Sequence, residues 1–167
     1  NAAQMQKILD EVKNSGFSIE SVKKSEKIKK SPLPFTTSTL QQEAAKTLNM
    51  STKRTMNIAQ QLYEGVEVKG QGTVGLVTYI RTDSVRISAE AKAMAKQYIE
   101  DNFGSRYAAN NIYTNKKKDI QDAHEAIRPS RITLDPESIK DSLTKEQYSL
   151  YKLIWTRFLA SQMAAAV

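Results

Sequence analysis

Hydrophobic residues recur every three or four positions in several stretches of the chain, which is typical of helices with one buried face. The first stretch runs from Met5 to Val12 and stops before Gly16, a residue that favours helix ends. A second helix is predicted to begin at the capping sequence Ser38-Thr39-Leu40-Gln41, and a third to run from Ser51 to Gly65. Two short helices joined by a tight turn have helix-turn-helix form.

Alternating hydrophobic and polar residues after the third helix predict a β-hairpin. Residues 66–68 form its first strand, residues 69–72 a glycine-containing turn, and residues 73–80 the returning strand. A hairpin that follows two helices is the arrangement of a winged helix. We therefore predict a mainly α-helical fold with a small β-hairpin, organised as a winged-helix, CAP-like helix-turn-helix domain.

Three further helix starts follow the hairpin. Ser88 caps one helix, Asp135-Pro136-Glu137 has a proline in the first turn of another, and Thr144-Lys145-Glu146-Gln147 is a capping box for the last. The last helix is strongly amphipathic, so we expect it to be the main contributor to the core. We interpret its Trp155 as a residue that packs in the core, in preference to one that stacks on a base.

A boundary is predicted near residue 30. Residues 17–22 have the composition of an extended strand that continues into the basic run 23–30, and Pro32 and Pro34 then exclude a helix. We predict that residues 1–30, a helix plus a strand, are the end of a truncated neighbouring domain. Residues 31–167 form the main domain.

Composition narrows the class of protein. The 167 residues carry a net charge of +7, no cysteine and one histidine, which excludes disulfides, thiolate metal sites and a zinc site built of histidines. A positive chain favours a polyanionic partner such as nucleic acid. The sequence has no apolar run approaching the roughly 20 residues of a membrane span, so we expect a cytoplasmic protein with no membrane partner.

Tyr79 ends an apolar run and is followed by a guanidinium, hydroxyls and a carboxylate, from Arg81, Thr82, Asp83 and Ser84. A tyrosine beside a cation has what a phosphotyrosine intermediate needs, a nucleophile outside the core and a partner for phosphate charge. The alternative is a tyrosine that closes a half-buried strand beside a solvated arginine.

Two other groups of residues are candidates for the same site. His124, the sole histidine, lies between acids and Arg128 in the segment 121–130. His124 either binds a phosphate or ties its loop to the core, and Arg128 either holds DNA or ties Glu125 in place. Lys53 and Arg54 lie near the start of the third helix, where helix-turn-helix proteins often meet DNA, although both also fit a solvated helix surface.

Three segments, in this order, resemble those of type IA DNA topoisomerases. They are Ser31-Pro-Leu-Pro-Phe35-Thr-Thr-Ser-Thr-Leu40-Gln-Gln, Val77-Thr-Tyr79-Ile-Arg81-Thr-Asp-Ser84 and His124-Glu-Ala-Ile-Arg128-Pro-Ser. The arginine in the third segment favours a bacterial topoisomerase I, or more remotely a reverse gyrase, over a topoisomerase III. The resemblance implies that Tyr79 cleaves and rejoins single-stranded DNA through a 5′-phosphotyrosine to relax negative supercoils, with Arg81 and His124 as phosphate ligands.

The resemblance also implies what lies elsewhere in such an enzyme. Residues 1–30 would end its hinge or arch domain, and an acidic domain that binds Mg²⁺ would lie outside this chain. The partners expected are DNA, preferably single-stranded, and the remaining domains of the same polypeptide, and the fragment by itself is expected to be inactive. The alternative is a non-enzymatic winged-helix DNA-binding module, in which Tyr79 is structural and Lys53 and Arg54 carry affinity.

Overall fold

α-Helices account for most of the regular structure. The structure is a computed structural model, and it describes residues 1–13, 15–113 and 124–166. Within those residues the elements are α1 (Ala2–Lys13), α2 (Thr37–Leu48), α3 (Thr52–Glu64), β1 (Val66–Val68), β2 (Gly72–Val74), α4 (Ala89–Phe103) and α5 (Lys145–Gln162). The prediction of a mainly helical chain with a β-hairpin is confirmed.

Side-chain caps begin the helices where the sequence predicts for α3, α4 and α5. The hydroxyl of Ser51 accepts a hydrogen bond from the backbone N–H of Arg54 (3.3 Å), and Ser88 caps α4 in the same way. Thr144 and Gln147 form the reciprocal capping box at the start of α5. Each cap satisfies an amide that the helix itself leaves unpaired, so these starts are encoded locally.

α2 begins earlier than predicted. Its N-cap is Thr36, which has an extended backbone and forms a capping box with Thr39, whereas Ser38 is already inside the helix. Thr36 and Ser38 are both possible N-caps, because each is followed three residues later by a side chain that can complete a capping box, Thr39 or Gln41. The sequence alone does not choose between them. The choice is made by Thr37, whose backbone N–H donates to the carbonyl of Thr82 (2.8 Å).

The hairpin is shorter than predicted. β1 and β2 pair antiparallel with Val66 opposite Val74, and β2 ends there rather than at Ile80. Beyond Val74 the backbone bonds to other partners: the N–H of Leu76 donates to the carbonyl of Leu62 at the end of α3 (2.7 Å). Tyr79 therefore lies beyond the hairpin, in an irregular segment.

The helix predicted at Asp135 is absent. The carboxylate of Asp135 accepts from the backbone N–H groups of Glu137 and Ser138 (both 3.1 Å), which caps a single turn. The chain then continues through turns and a short 3₁₀ segment, Lys140–Ser142, to the N-cap of α5. The local cap at Asp135 is therefore formed without a helix after it.

Two groups of buried side chains form the core, and α5 contributes to both. The larger one joins α2, α3, the hairpin and α5 through residues such as Leu40, Leu62, Leu76, Ile80 and Ile154. The smaller one packs α4 against α5. Trp155 touches both groups and donates its indole N–H to the carbonyl of Ile132 (3.0 Å), which agrees with its interpretation as a packing residue.

Residues 1–30 lie outside this core. None of the described side chains in this range is buried, and the apolar side chains of α1 are exposed. The predicted strand over residues 17–22 is wrong, because a strand needs hydrogen bonds to a neighbour and these residues have none in the described chain. The link to the core is a pairing of Lys29 with Ala166. A domain boundary near residue 30 stays a prediction.

Candidate active site around Tyr79

Tyr79 belongs to a segment wedged between the end of α3 and the loop 126–130. The neighbouring side chains Val77 and Ile80 are buried, while Tyr79 is 40% exposed. Val77 forms an isolated bridge with Pro129, and the N–H of Thr78 donates to the carbonyl of Arg128 (2.9 Å). Because the segment is bonded on both sides, the phenol is held at the surface by a fixed backbone.

His124 lies against Tyr79. The centres of the two rings are 5.3 Å apart, and the ring planes are inclined by 35°. On another side the ring of Tyr63, at the end of α3, meets Tyr79 edge-on at 5.6 Å and 69°. All three rings are exposed, so a surface group of aromatic rings surrounds the phenol. The predicted convergence of Tyr79 and His124 is present in the structure.

Thr78 fixes the loop that carries His124. Its hydroxyl donates to the carbonyl of Ala126 (2.8 Å) and accepts from the N–H of Arg128 (3.0 Å). The guanidinium of Arg128 in turn pairs with Glu125 (2.7 Å) and donates to the carbonyl of Pro129 (3.0 Å). Of the two roles predicted for Arg128, the structure shows the tie to Glu125; both side chains are largely buried.

Arg81 is exposed on the loop that leaves Tyr79. Within the described residues, neither the guanidinium of Arg81 nor the carboxylate of exposed Asp83 has a hydrogen-bond or ion-pair partner. Thr82 and Ser84 differ, because both are buried and their hydroxyls accept backbone hydrogen bonds from Ser84 (3.0 Å) and Arg86 (3.2 Å). Their hydroxyls therefore help to shape the loop, and their assignment as DNA-binding residues stays a prediction.

Lys53 and Arg54 lie at the opposite end of α3 from Tyr63. Ten residues of helix separate Lys53 from Tyr63, about 15 Å along the axis. The guanidinium of Arg54 forms two hydrogen bonds of 2.5 Å with Glu146 of α5, which hold the pKa of that carboxyl below its usual range. Both residues are exposed, and the guanidinium of Arg54 is engaged by Glu146. Neither residue belongs to the Tyr79 site.

Comparison with known proteins shows the family of this chain. A family model for DNA topoisomerase matches residues 1–167. The chain belongs to the type IA DNA topoisomerases. It is 44% identical to the full-length topoisomerase I of Thermotoga maritima, and its fold superposes on that crystal structure with a TM-score of 0.80. The match covers 95% of this chain and 25% of the Thermotoga chain, so the topoisomerase chain described here spans about a quarter of that relative.

Magnesium, which topoisomerases of this family generally use, has no evident site in this part of the topoisomerase. The described residues contain no group of three or more histidine, aspartate and glutamate side chains placed to hold a metal ion. The described residues around Tyr79 therefore offer no such group. The described part of the chain also has no helix long and apolar enough to span a membrane.

Sequence reasoning missed three residues that contact Tyr79 or hold the backbone around it and Arg81. Tyr63 has the spacing of a core residue on α3, and Thr78 looks like an ordinary strand residue. Thr37 was placed before its helix rather than inside it. A weak signal exists for Tyr63 alone, since it ends an apolar stripe next to Gly65; the two threonines are recognisable only from their long-range hydrogen bonds.

Proposed function

We propose that this chain carries the nucleophile of a type IA topoisomerase, which cleaves and rejoins single-stranded DNA to relax negative supercoils. The observation that carries the proposal is the contact of exposed Tyr79 with His124, from a segment distant in sequence. A purely structural tyrosine has no need of exposure beside the chain's sole histidine.

The reaction is a transesterification, and it conserves bonds. The phenolic oxygen of Tyr79 attacks the phosphorus of a DNA phosphodiester, an O–P bond forms, and the bond from phosphorus to the 3′ oxygen breaks. The phenolic proton leaves Tyr79 and a proton is taken up by the 3′ oxygen, so the products are a 5′-phosphotyrosine and a free 3′ hydroxyl. Attack of that hydroxyl on the phosphotyrosine reverses every step.

His124 and Arg81 supply the charge that this step needs. A phenol with a pKa of about 10 is a weak nucleophile at neutral pH, so a nearby cation that favours phenolate and neutralises the phosphoryl oxygens lowers the barrier. Arginine stays charged at any working pH and contacts two oxygens at once. The imidazole of His124 donates a hydrogen bond to an oxygen in either protonation state. Among the described residues the guanidinium of Arg81 has no partner, which is consistent with this role.

α2, α3 and the hairpin are assigned to a winged-helix, CAP-like unit that presents this site to DNA. Lys53, exposed in the first turn of α3, is the residue of that helix available for a phosphate, because Arg54 is paired with Glu146. Asp83 lies next to Arg81 and orients it or a nearby hydroxyl. Arg128 holds the His124 loop through Glu125.

The remaining functions of the enzyme are assigned to the rest of its length. The Thermotoga relative is about four times as long as the matched region, which leaves room for a magnesium-binding acidic domain and for the hinge or arch domain that residues 1–30 would end. The partners of this chain are then single-stranded DNA and those other domains.

The test uses the full-length topoisomerase that contains this chain, a labelled single-stranded oligonucleotide and Mg²⁺. Tyr79→Phe should abolish the covalent protein–DNA band on a denaturing gel, while Tyr107→Phe, at a tyrosine of similar exposure outside the site, should retain it. An adduct that survives Tyr79→Phe would refute the proposal. Oligonucleotide binding with no adduct in the unmodified protein would favour the non-enzymatic DNA-binding module.

A further inference from the structure

The loop that carries Arg81 is fastened to the start of α2 by one residue, Thr37. The N–H of Thr37 donates to the carbonyl of Thr82 (2.8 Å), and the N–H of Thr82 donates back to the hydroxyl of Thr37 (2.9 Å). The same hydroxyl lies 2.7 Å from the carbonyl oxygen of Ile80 and 3.0 Å from that of Thr82. Because a hydroxyl has one proton, the shorter contact, to Ile80, is the stronger bond.

These bonds bracket Arg81. The residue before it and the residue after it are both held by Thr37, and their side chains, Ile80 and Thr82, are buried. The side chain of Arg81 itself is exposed and has no partner among the described residues. The place where its guanidinium emerges from the surface is therefore decided by the backbone on either side.

We propose that Thr37 is a positioning residue, which acts through the backbone of residues 80–82 to aim Arg81 at the DNA phosphate held by Tyr79. The inference rests on the proposed function of Tyr79 and Arg81 and goes beyond it by adding a residue that never touches DNA. A displacement of about 1 Å at a reacting centre costs up to about a hundredfold in rate, so a backbone clamp of this kind has a measurable effect.

The clamp also couples α2 to the site. Thr37 is the first residue of α2, and Leu40 and Ala44 anchor that helix in the core. A rigid helix fixed at its buried face thus provides the reference position for the loop. Loss of the hydroxyl alone leaves the helix in place, because Thr36 supplies its cap.

The experiment compares variants of the full-length topoisomerase by the initial rate of covalent adduct formation on a single-stranded oligonucleotide. Thr37→Val removes the hydroxyl at nearly constant shape, and Thr37→Ser restores it. Thr47→Val is the matched control on the same helix, since its hydroxyl bonds only to the carbonyl of Glu43 one turn earlier (2.7 Å). Arg81→Ala and the double variant Thr37→Val with Arg81→Ala complete a double-mutant cycle.

We expect Thr37→Val to slow cleavage about tenfold, Thr37→Ser to recover to within about threefold, and Thr47→Val to be unchanged. If Thr37 acts through Arg81, the double variant is no slower than Arg81→Ala alone. Binding gives a second readout: loss of one phosphate contact lowers the slope of log affinity against log salt by about 0.7 on single strands, for Thr37→Val as for Arg81→Ala.

Three results would overturn the positioning role. They are a wild-type rate for Thr37→Val, an equal loss in Thr37→Ser and Thr37→Val, and multiplied losses in the double variant. If Arg81→Ala is slow and any of these results is found, the proposed function still holds and only the positioning role of Thr37 is refuted. A wild-type rate for Arg81→Ala refutes the role of Arg81 and the clamp together.

Discussion

The phenol ring of Tyr79 lies 5.3 Å from the imidazole ring of His124, although the two residues come from distant segments of the chain. Their contact depends on the pairing of the Tyr79 segment with the loop 126–130. In that pairing the hydroxyl of Thr78 donates to the carbonyl of Ala126 and accepts from the N–H of Arg128. The relative position of the two rings is therefore set by the backbone pairing of residues 77–78 with the loop 126–130.

Thr78→Val should weaken the pairing between the Tyr79 segment and the loop 126–130. The substitution keeps the shape but leaves the carbonyl of Ala126 and the N–H of Arg128 without their bonds to the hydroxyl, at a cost of about 1–3 kcal/mol in the free energy of unfolding. Denaturant unfolding of the chain measures the loss. Thr73→Val, at an exposed hairpin position, should cost less than about 0.5 kcal/mol; equal stability of the two variants would contradict the role of Thr78.

Gly75→Ala should disturb the approach of the Tyr79 segment to α3. A Cβ atom at Gly75 would lie 2.8 Å from the carbonyl oxygen of Tyr63, a backbone atom that cannot rotate away. We expect a loss of about 1–3 kcal/mol in the free energy of unfolding, as for overpacked sites. Thermal unfolding reports the change.

Gly16→Ala is the control for this prediction, since nothing lies within 4 Å of a Cβ atom built there. Its melting temperature should match that of the unmodified chain. A Gly75→Ala variant with an unchanged melting temperature would show that the hairpin shifts at no cost.

Glu146→Gln should change how the free energy of unfolding falls at acidic pH. Hydrogen bonding to Arg54 lowers the pKa of Glu146 below its ordinary value of 4.5, so the folded state binds a proton less readily than the unfolded state. The stabilisation is present at neutral pH and is lost as pH falls below about 4.5 through the lowered pKa. Because the pair is exposed, salt also weakens it.

Urea unfolding between pH 7 and pH 3 checks this prediction. Glu146→Gln should flatten the decline relative to the unmodified chain, whereas Glu20→Gln, exposed outside the core, should leave the curve unchanged. A steeper decline in Glu146→Gln would mean that the sign of the linkage is wrong.

The chain by itself should neither relax supercoiled plasmid nor form a stable adduct with DNA in the presence of Mg²⁺. Its described residues include the proposed nucleophile and phosphate ligands but no group of acids placed to hold a metal ion. Gel assays of plasmid topology and of labelled oligonucleotide test both points. Relaxed plasmid, or an adduct that Tyr79→Phe removes, would show that the chain is self-sufficient.

Residue order alone encodes the local elements and the chemical identity of the candidate site. The caps at Ser51, Ser88 and Thr144 depend on residues within one turn, so they were predictable, as were the hairpin turn and the amphipathic face of α5. The tyrosine, arginine and histidine segments were recognisable because their residue types and order are specific.

Where those segments meet depends on long-range contacts in the folded chain. The end of β2 at Val74 and the start of α2 at Thr37 depend on bonds to distant partners, Leu62 for the segment after β2 and Thr82 for α2. The same is true of the contact between Tyr79 and His124. A sequence window records local propensity, whereas these features follow from which backbone groups find partners once the core around Leu76 and Ile80 has formed.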